Sequence, residues 1–310
     1  MALKIGLALG SGAARGWAHI GVLRSLEASG IRPDIVCGTS VGALVGGAWL
    51  TGQLDALQEW ASTMGLFGVL KLLDVTFSRG GLVSITKAFE QFRNDRTDVL
   101  IEHLPTVFAT VATDLATGRE VWLREGHLLD VVRASAAMPG LFPAVPHDGQ
   151  WLVDGALVNP VPVSLCRALG ADVVIAVNLN GDLATLPRLA KGSGSPEGKP
   201  PAEKPPVLAA LLNTRIGSHL SDKTRFLASQ LTTAREPVPN VLEILAGSID
   251  IMQDRITRSR LAGEPPDVLI APRLGHIGIL DFDRSEELIE LGRTSTDAMG
   301  PAITLAVRRA

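Results

Sequence analysis

Two short apolar runs, each closed by a glycine-rich turn and followed by a helical pattern, occupy residues 3 to 50 and direct the chain toward a layered α/β fold. Residues 3 to 9 read as a buried strand. The turn Gly10-Ser11-Gly12-Ala13-Ala14-Arg15-Gly16 then leads into a helix from about Trp17 to Ser29, which Gly30 ends. Asp34 to Cys37 reads as a second strand, Gly38-Thr39-Ser40-Val41-Gly42 follows, and an alanine- and glycine-rich helix runs to about Leu50.

Further apolar runs at Val107 to Ala112, Trp151 to Val153 and Val173 to Asn178 predict more strands of the same sheet, with helices between several of them. Composition breaks between residues 181 and 206, where GSGSPEGKPPAEKPP has little to bury and reads as a flexible linker or loop. Residues 207 to about 261 read as helical. A strand at 267 to 272 and a final amphipathic helix from about Ser285 follow. The expected organisation is a core over 1–180, the linker, and a mainly helical segment over 207–310 whose one strand packs on the core.

The charge balance narrows the function classes. The 29 basic and 32 acidic residues leave a formal net charge of -3, with no basic block for nucleic acid. Cys37 and Cys166 sit in apolar stretches without C-x-x-C spacing, which fits a reduced compartment and argues against a disulfide framework or a zinc site. The acidic residues form no EF-hand-like loop, so no calcium is implied. The apolar N-terminal run is too brief for a secretory core, and no uninterrupted apolar run approaches the roughly 18 residues of a membrane span. A cytoplasmic protein with at most peripheral membrane contact is expected. The apolar stretch Met64 to Leu73 reads either as an ordinary buried helix or as an interfacial one.

Gly38-x-Ser40-x-Gly42 between a strand and a helix has the pattern of a nucleophile elbow, in which a sharp turn presents a serine and the glycines relieve crowding. Taken alone it also reads as a glycine turn with Thr39 or Ser40 capping the next helix. Its position, on the second strand, argues against the α/β-hydrolase order, where several strands precede the serine and a histidine comes late. His276, between Gly275 and Ile277-Gly278, is the candidate for such a triad. His19, on the first helix, reads as a packing residue.

The Gly10 to Gly16 turn leaves backbone N–H groups free at a helix N-terminus, which suits an anion. It could serve as a dinucleotide loop, as an oxyanion hole, or as a close-packed turn that binds nothing. The dinucleotide reading fails because the spacing is not G-x-G-x-x-G and the second strand ends without an acidic residue. A chain with no tyrosine also excludes a short-chain dehydrogenase. Asp154, in Trp151-Leu152-Val153-Asp154-Gly155-Ala156, reads on its own as the start of a two-residue hairpin turn.

Together these three motifs resemble the patatin-like phospholipases, in particular the bacterial branch related to the patatin-like domain of neuropathy target esterase. Ser11-Gly12-Ala13-Ala14-Arg15-Gly16 matches the oxyanion loop, Gly38-Thr39-Ser40-Val41-Gly42 the elbow, and Asp154-Gly155-Ala156 the aspartate motif. Pro139-Gly140-Leu141-Phe142-Pro143 and Asn159-Pro160 also look like the family pattern, over residues 3 to about 180. The segment from about Gln253 to Arg293 resembles the same branch. Many members carry three consecutive glycines where this chain has Ser11, Gly12 and Ala13, which puts the loop geometry in question because alanine tolerates positive φ poorly.

The resemblance implies a serine lipid acyl hydrolase acting on a lipid or other acyl ester, with Ser40 as nucleophile, Asp154 as its catalytic partner and no cofactor. It places the oxyanion donors at Gly12, Ala13 and Ala14, with support from Gly10, Arg15, Gly16, Gly38, Gly42, Gly155 and Ala156. Arg15 is expected to anchor the loop through carbonyls or a carboxylate, or else to lie solvated on the first turn. A non-catalytic regulator or adaptor retaining the fold is the alternative.

Overall fold

A computed structural model describes residues 3–63, 92–139, 142–182 and 241–308. The stretch Met64 to Leu73, most of the composition break at 181–206, the helical expectation over 207–240, and Gly140 and Leu141 lie outside the described residues. The described residues up to Asp182 and from Leu245 onward belong to one compact unit.

The chain order is β1 (Ile5–Leu9), α1 (Ala18–Ala28), β2 (Ile35–Thr39), α2 (Val41–Leu50) and α3 (Leu54–Thr63). There follow β3 (Val107–Asp114), β4 (Glu120–Leu123), α4 (Leu128–Ser135), β5 (Val145–His147), β6 (Gln150–Asp154), α5 (Val163–Ala168) and β7 (Val173–Val177). The described chain closes with α6 (Val241–Gly263), β8 (Val268–Ile270) and α7 (Ser285–Arg308). The helix expected from Trp17 begins one residue later, because Ala13–Trp17 forms a 3-10 turn first.

The strands build one sheet in the order β5-β6-β3-β2-β1-β7-β8, with β4 also on β3. β8, β7, β1, β2 and β3 are mutually parallel, while β4, β5 and β6 pair antiparallel. Alternation along the strands divides the core between two faces. Leu7, Leu9 and Val36 pack on the side that holds Trp17, Ile20 and Leu23, whereas Ala8, Ile35, Cys37 and Val111 pack against Leu165 and Cys166 of α5. On the first side α1 crosses α7 so closely that a Cβ on Gly21 would overlap the Ile289 carbonyl, and one on Gly292 the Ala18 carbonyl.

The register on β3 positions the site. β2 pairs with Val107 to Val111 and β6 with Ala112 to Asp114, while β4 pairs with Thr110 to Thr113. A strand has two edges, so β4 occupies one, and β2 and β6 share the other end to end. The first residue of β3 past the end of β2 is therefore the one that faces Asp154.

Two expectations change. Asp154-Gly155 is not a hairpin turn: Gly155–Leu157 is a 3-10 turn that Asp154 caps through the Ala156 N–H. The β5–β6 hairpin turns instead at Asp148-Gly149, both at positive φ (46° and 78°), the conformation that Asp-Gly favours. The short strands β4 and β5 had no clear sequence signal, since each is only three or four residues long and partly exposed.

Candidate active site

Leu9 faces Gly38 across the parallel pair β1–β2, so the two glycine-rich turns leave the sheet side by side at its carboxyl edge. At the end of β2 the backbone reverses sharply, and Ser40 sits at φ 57°, ψ −122° as the residue before α2. Positive φ is a strained conformation for a serine, held here by its surroundings. The Ser40 N–H donates to Ser135 Oγ at 2.9 Å, and Ser135 in turn donates to the Val111 carbonyl at 2.6 Å. A Cβ on Gly42 would overlap the Leu9 carbonyl, and one on Gly38 the Ala43 backbone, so both positions of the elbow require glycine.

Ser40 Oγ donates to Asp154 Oδ2 at 2.6 Å. The other carboxylate oxygen, Oδ1, accepts the Ala156 N–H at 2.8 Å, and Thr113 Oγ1 donates to the Asp154 carbonyl at 2.8 Å. Asp154 is 1% exposed and Ser40 4%. Burial pushes the Asp154 carboxyl up to about 6, against the smaller opposing pull of the Ser40 hydroxyl and the Ala156 N–H. At neutral pH this carboxylate is ionised, and it is a far better base than an ordinary aspartate with a pKa of about 3.9.

His276 lies elsewhere. Its ring pairs with Glu287 at 2.9 Å and its side chain is half exposed, so the late histidine of a triad is not at the serine. His19 is fully buried; its Nε2 meets the Gly10 carbonyl at 2.7 Å, and burial lowers its pKa to about 4, which keeps the ring neutral.

In the first turn Ala13 adopts φ 48°, taking up as alanine the left-handed conformation that glycine would occupy more easily. The Ala14 N–H donates to the Ile279 carbonyl at 3.1 Å, and this removes Ala14 from the donor set expected from the sequence. Among the described residues the N–H groups of Gly12 and Ala13 have no backbone partner. Arg15 is not a solvated residue: at 2% exposure it donates Nε to the Ile277 carbonyl at 2.8 Å, Nη1 to Asn180 Oδ1 at 3.1 Å, and both terminal nitrogens to Asp250 at 2.8 and 3.1 Å. A Cβ on Gly10 would lie 2.6 Å from the Val177 carbonyl, and one on Gly16 would overlap Val41.

Asn159-Pro160 ties the motifs together. The Asn159 carbonyl accepts the Thr39 hydroxyl at 2.9 Å and the Pro160 carbonyl accepts the Ser11 N–H at 2.8 Å, so one dipeptide holds both the elbow and the first turn. Sequence reasoning does not find Ser135, Thr113, Asn180 and Asp250. Each is a polar residue in an unremarkable local pattern, recruited by contacts from distant segments that leave no trace in sequence spacing. Among the described residues no group of three or more His, Cys, Asp or Glu could hold a metal ion, and no helix is long and apolar enough to cross a membrane.

The fold is mixed α/β: a largely parallel sheet carries a serine elbow at the end of its second strand, beside a glycine-rich turn and a buried aspartate. The family model for patatin-like phospholipases matches residues 7–167, which contain all three motifs. An uncharacterized NTE family protein of Mycobacterium tuberculosis is 32% identical over 323 aligned residues, covering 94% of this chain and 89% of that one. Neuropathy target esterase sws of Drosophila melanogaster is 35% identical over 183 residues, 57% of this chain and 13% of that protein. The crystal structure of VipD from Legionella pneumophila aligns over 97% of this chain and 67% of its own, with a TM-score of 0.49 and 12% identity. The chain belongs to the patatin-like phospholipase family, and membership implies lipid acyl hydrolase activity.

Proposed function

We propose that the protein is a serine lipid acyl hydrolase that works with Ser40 and Asp154 alone, through an acyl-enzyme. The observation that carries this reading is the 2.6 Å hydrogen bond from Ser40 Oγ to Asp154 Oδ2. As Ser40 Oγ attacks the ester carbonyl carbon, its proton passes to Asp154, and the carbonyl oxygen becomes an oxyanion. The free N–H groups of Gly12 and Ala13 are the donors for that oxygen, each worth roughly 2.7–4 kcal/mol in comparable sites. Collapse of the tetrahedral intermediate breaks the ester C–O bond, and Asp154 returns the proton to the leaving alkoxide. Water, deprotonated by the same carboxylate, then attacks the acyl carbon, and Asp154 returns that proton to Ser40 Oγ as the carboxylic acid leaves.

In keeping with the family, the substrate class is a phospholipid, a lysophospholipid or a simpler carboxylic ester, and any contact with a membrane is peripheral.

Labelling with a fluorophosphonate, followed by peptide mass spectrometry, tests the reading whatever the natural substrate is, because the probe reacts with the activated serine itself. Adduct on Ser40 that is absent in Ser40→Ala and sharply reduced in Asp154→Asn is the expected result. Folded wild-type protein that takes up no label at Ser40 would favour a non-catalytic regulator.

A further inference from the structure

The stretch Gly12-Ala13 carries the proposed oxyanion donors, yet its own backbone N–H groups bond nothing among the described residues and Ala13 sits at positive φ. Such a stretch keeps its shape only if its flanks are held. Beside the backbone bonds of Ser11 to Pro160 and of Ala14 to Ile279, one helix supplies a side-chain tie to each flank. On one side, Ser11 Oγ donates to Gln253 Oε1 at 3.0 Å; on the other, the Arg15 guanidinium forms its two-pronged pair with Asp250. Gln253 and Asp250 are three residues apart on α6, and so share one face of a rigid element. Asn180 closes the ring, donating Nδ2 to the same Gln253 oxygen at 2.9 Å and accepting from Arg15 at 3.1 Å.

We infer that Asp250 and Gln253 are positioning residues for the oxyanion loop, with α6 acting as the template that fixes the Gly12 and Ala13 N–H groups relative to Ser40. This rests on the hydrolase reading above. All five residues of the ring are buried or nearly so: Ser11, Arg15 and Asn180 at 2% exposure, Gln253 at 5% and Asp250 at 9%. In that setting a fork of Arg15 onto Asp250 fixes direction as well as distance, because both carboxylate oxygens and both terminal nitrogens are engaged. With a side-chain tie removed, that flank keeps only its backbone bond, Ser11 N–H to Pro160 or Ala14 N–H to Ile279, and Ala13 gains freedom to rotate toward negative φ and turn its N–H away from the position of the oxyanion. Both α6 residues act on the donors through Ser11 and Arg15, so their effect falls on the transition state and leaves ground-state binding in place.

The test compares wild type with Gln253→Met, Asp250→Asn and Asp250→Glu in the full chain. It follows the rate of Ser40 phosphonylation by a fluorophosphonate and kcat and KM on a p-nitrophenyl ester, with circular dichroism confirming the fold. Folded Gln253→Met and Asp250→Asn should lose about 10- to 100-fold in kcat and in labelling rate with KM almost unchanged, and Asp250→Glu should recover part of the loss. If Asp250→Asn fails to fold because Arg15 is left buried and unpaired, Gln253→Met, which removes no charge, carries the test. Folded variants that label and turn over at the wild-type rate would overturn the inference. Absence of label on wild-type Ser40 would instead remove the hydrolase reading on which it stands.

Discussion

The Ser135 hydroxyl accepts the Ser40 N–H at 2.9 Å, so a residue at the end of α4, the helix packed against α2, holds the strained backbone of the elbow. Ser135 also donates to Val111, and its removal strands a buried donor and a buried acceptor together. Ser135→Ala is expected to lower stability by about 1–3 kcal/mol and to slow turnover, because Ser40 can then relax from positive φ. Urea denaturation and kcat measured on the same preparation check this. A variant equal to wild type in both would show that the elbow is held by its glycines alone.

The raised Asp154 pKa sets the pH dependence of the reaction. The proposed base works ionised, so kcat/KM should rise about tenfold per pH unit below that pKa and flatten above it, following a single ionisation at about 6. Replacing any described histidine should leave that ionisation where it is. A profile whose limb disappears in His276→Ala would place the base elsewhere.

Stability should run the other way. The folded pKa of Asp154 is raised from 3.8 to about 6, so the folded state binds the proton more tightly than the unfolded chain does. Its favourable contribution is full below the unfolded pKa and is lost as pH rises through the folded one, leaving a buried charge that opposes folding by about 3 kcal/mol at pH 8. Asp154→Asn should therefore be inactive, and its stability relative to wild type should increase between pH 4 and pH 7. Thermal melts of both proteins across that range decide the point; a difference independent of pH would contradict it.

Gly42 touches backbone, not flexible side chains. Its added methyl would meet the Leu9 carbonyl and the Gly10 oxygen, and neither can move without parting β1 from its turn. Gly42→Ala should lose about 1–3 kcal/mol and most activity. Gly118→Ala is the control for activity: nothing lies near its methyl position, and at φ 68° the only expected cost is conformational. Melting temperatures and Ser40 labelling of the two variants should separate accordingly.

Much of this fold could be read from local pattern. β1, α1, β2 and α2 follow directly from apolar runs punctuated by glycine, since a strand buried on both faces needs continuous Val, Ile, Leu and Ala. β7 and β8 are visible for the same reason. β4 and β5 are not, because their short, half-exposed runs gain stability from β3 and β6 rather than from their own composition. Asp154-Gly155 carries the hairpin signal as strongly as Asp148-Gly149 does. What separates them is pairing: only the second lies between two strands that can fold back on each other.

The candidate site divides in the same way. Residue chemistry and spacing were enough to single out the Ser40 elbow and the loop from Gly10 to Gly16, because a sharp turn demands glycines at set offsets whatever lies around it, whereas Asp154 stood out only through the resemblance to the patatin-like family. Tertiary structure alone brought Asp154 to the serine, by ending β2 where β6 takes over the edge of β3. It also withdrew Ala14 from the donors, moved His276 out of consideration, raised the aspartate pKa and recruited Ser135, Asn180, Asp250 and Gln253. Those outcomes depend on burial and on contacts between segments far apart in the chain, and neither quantity is a property of a local stretch of sequence.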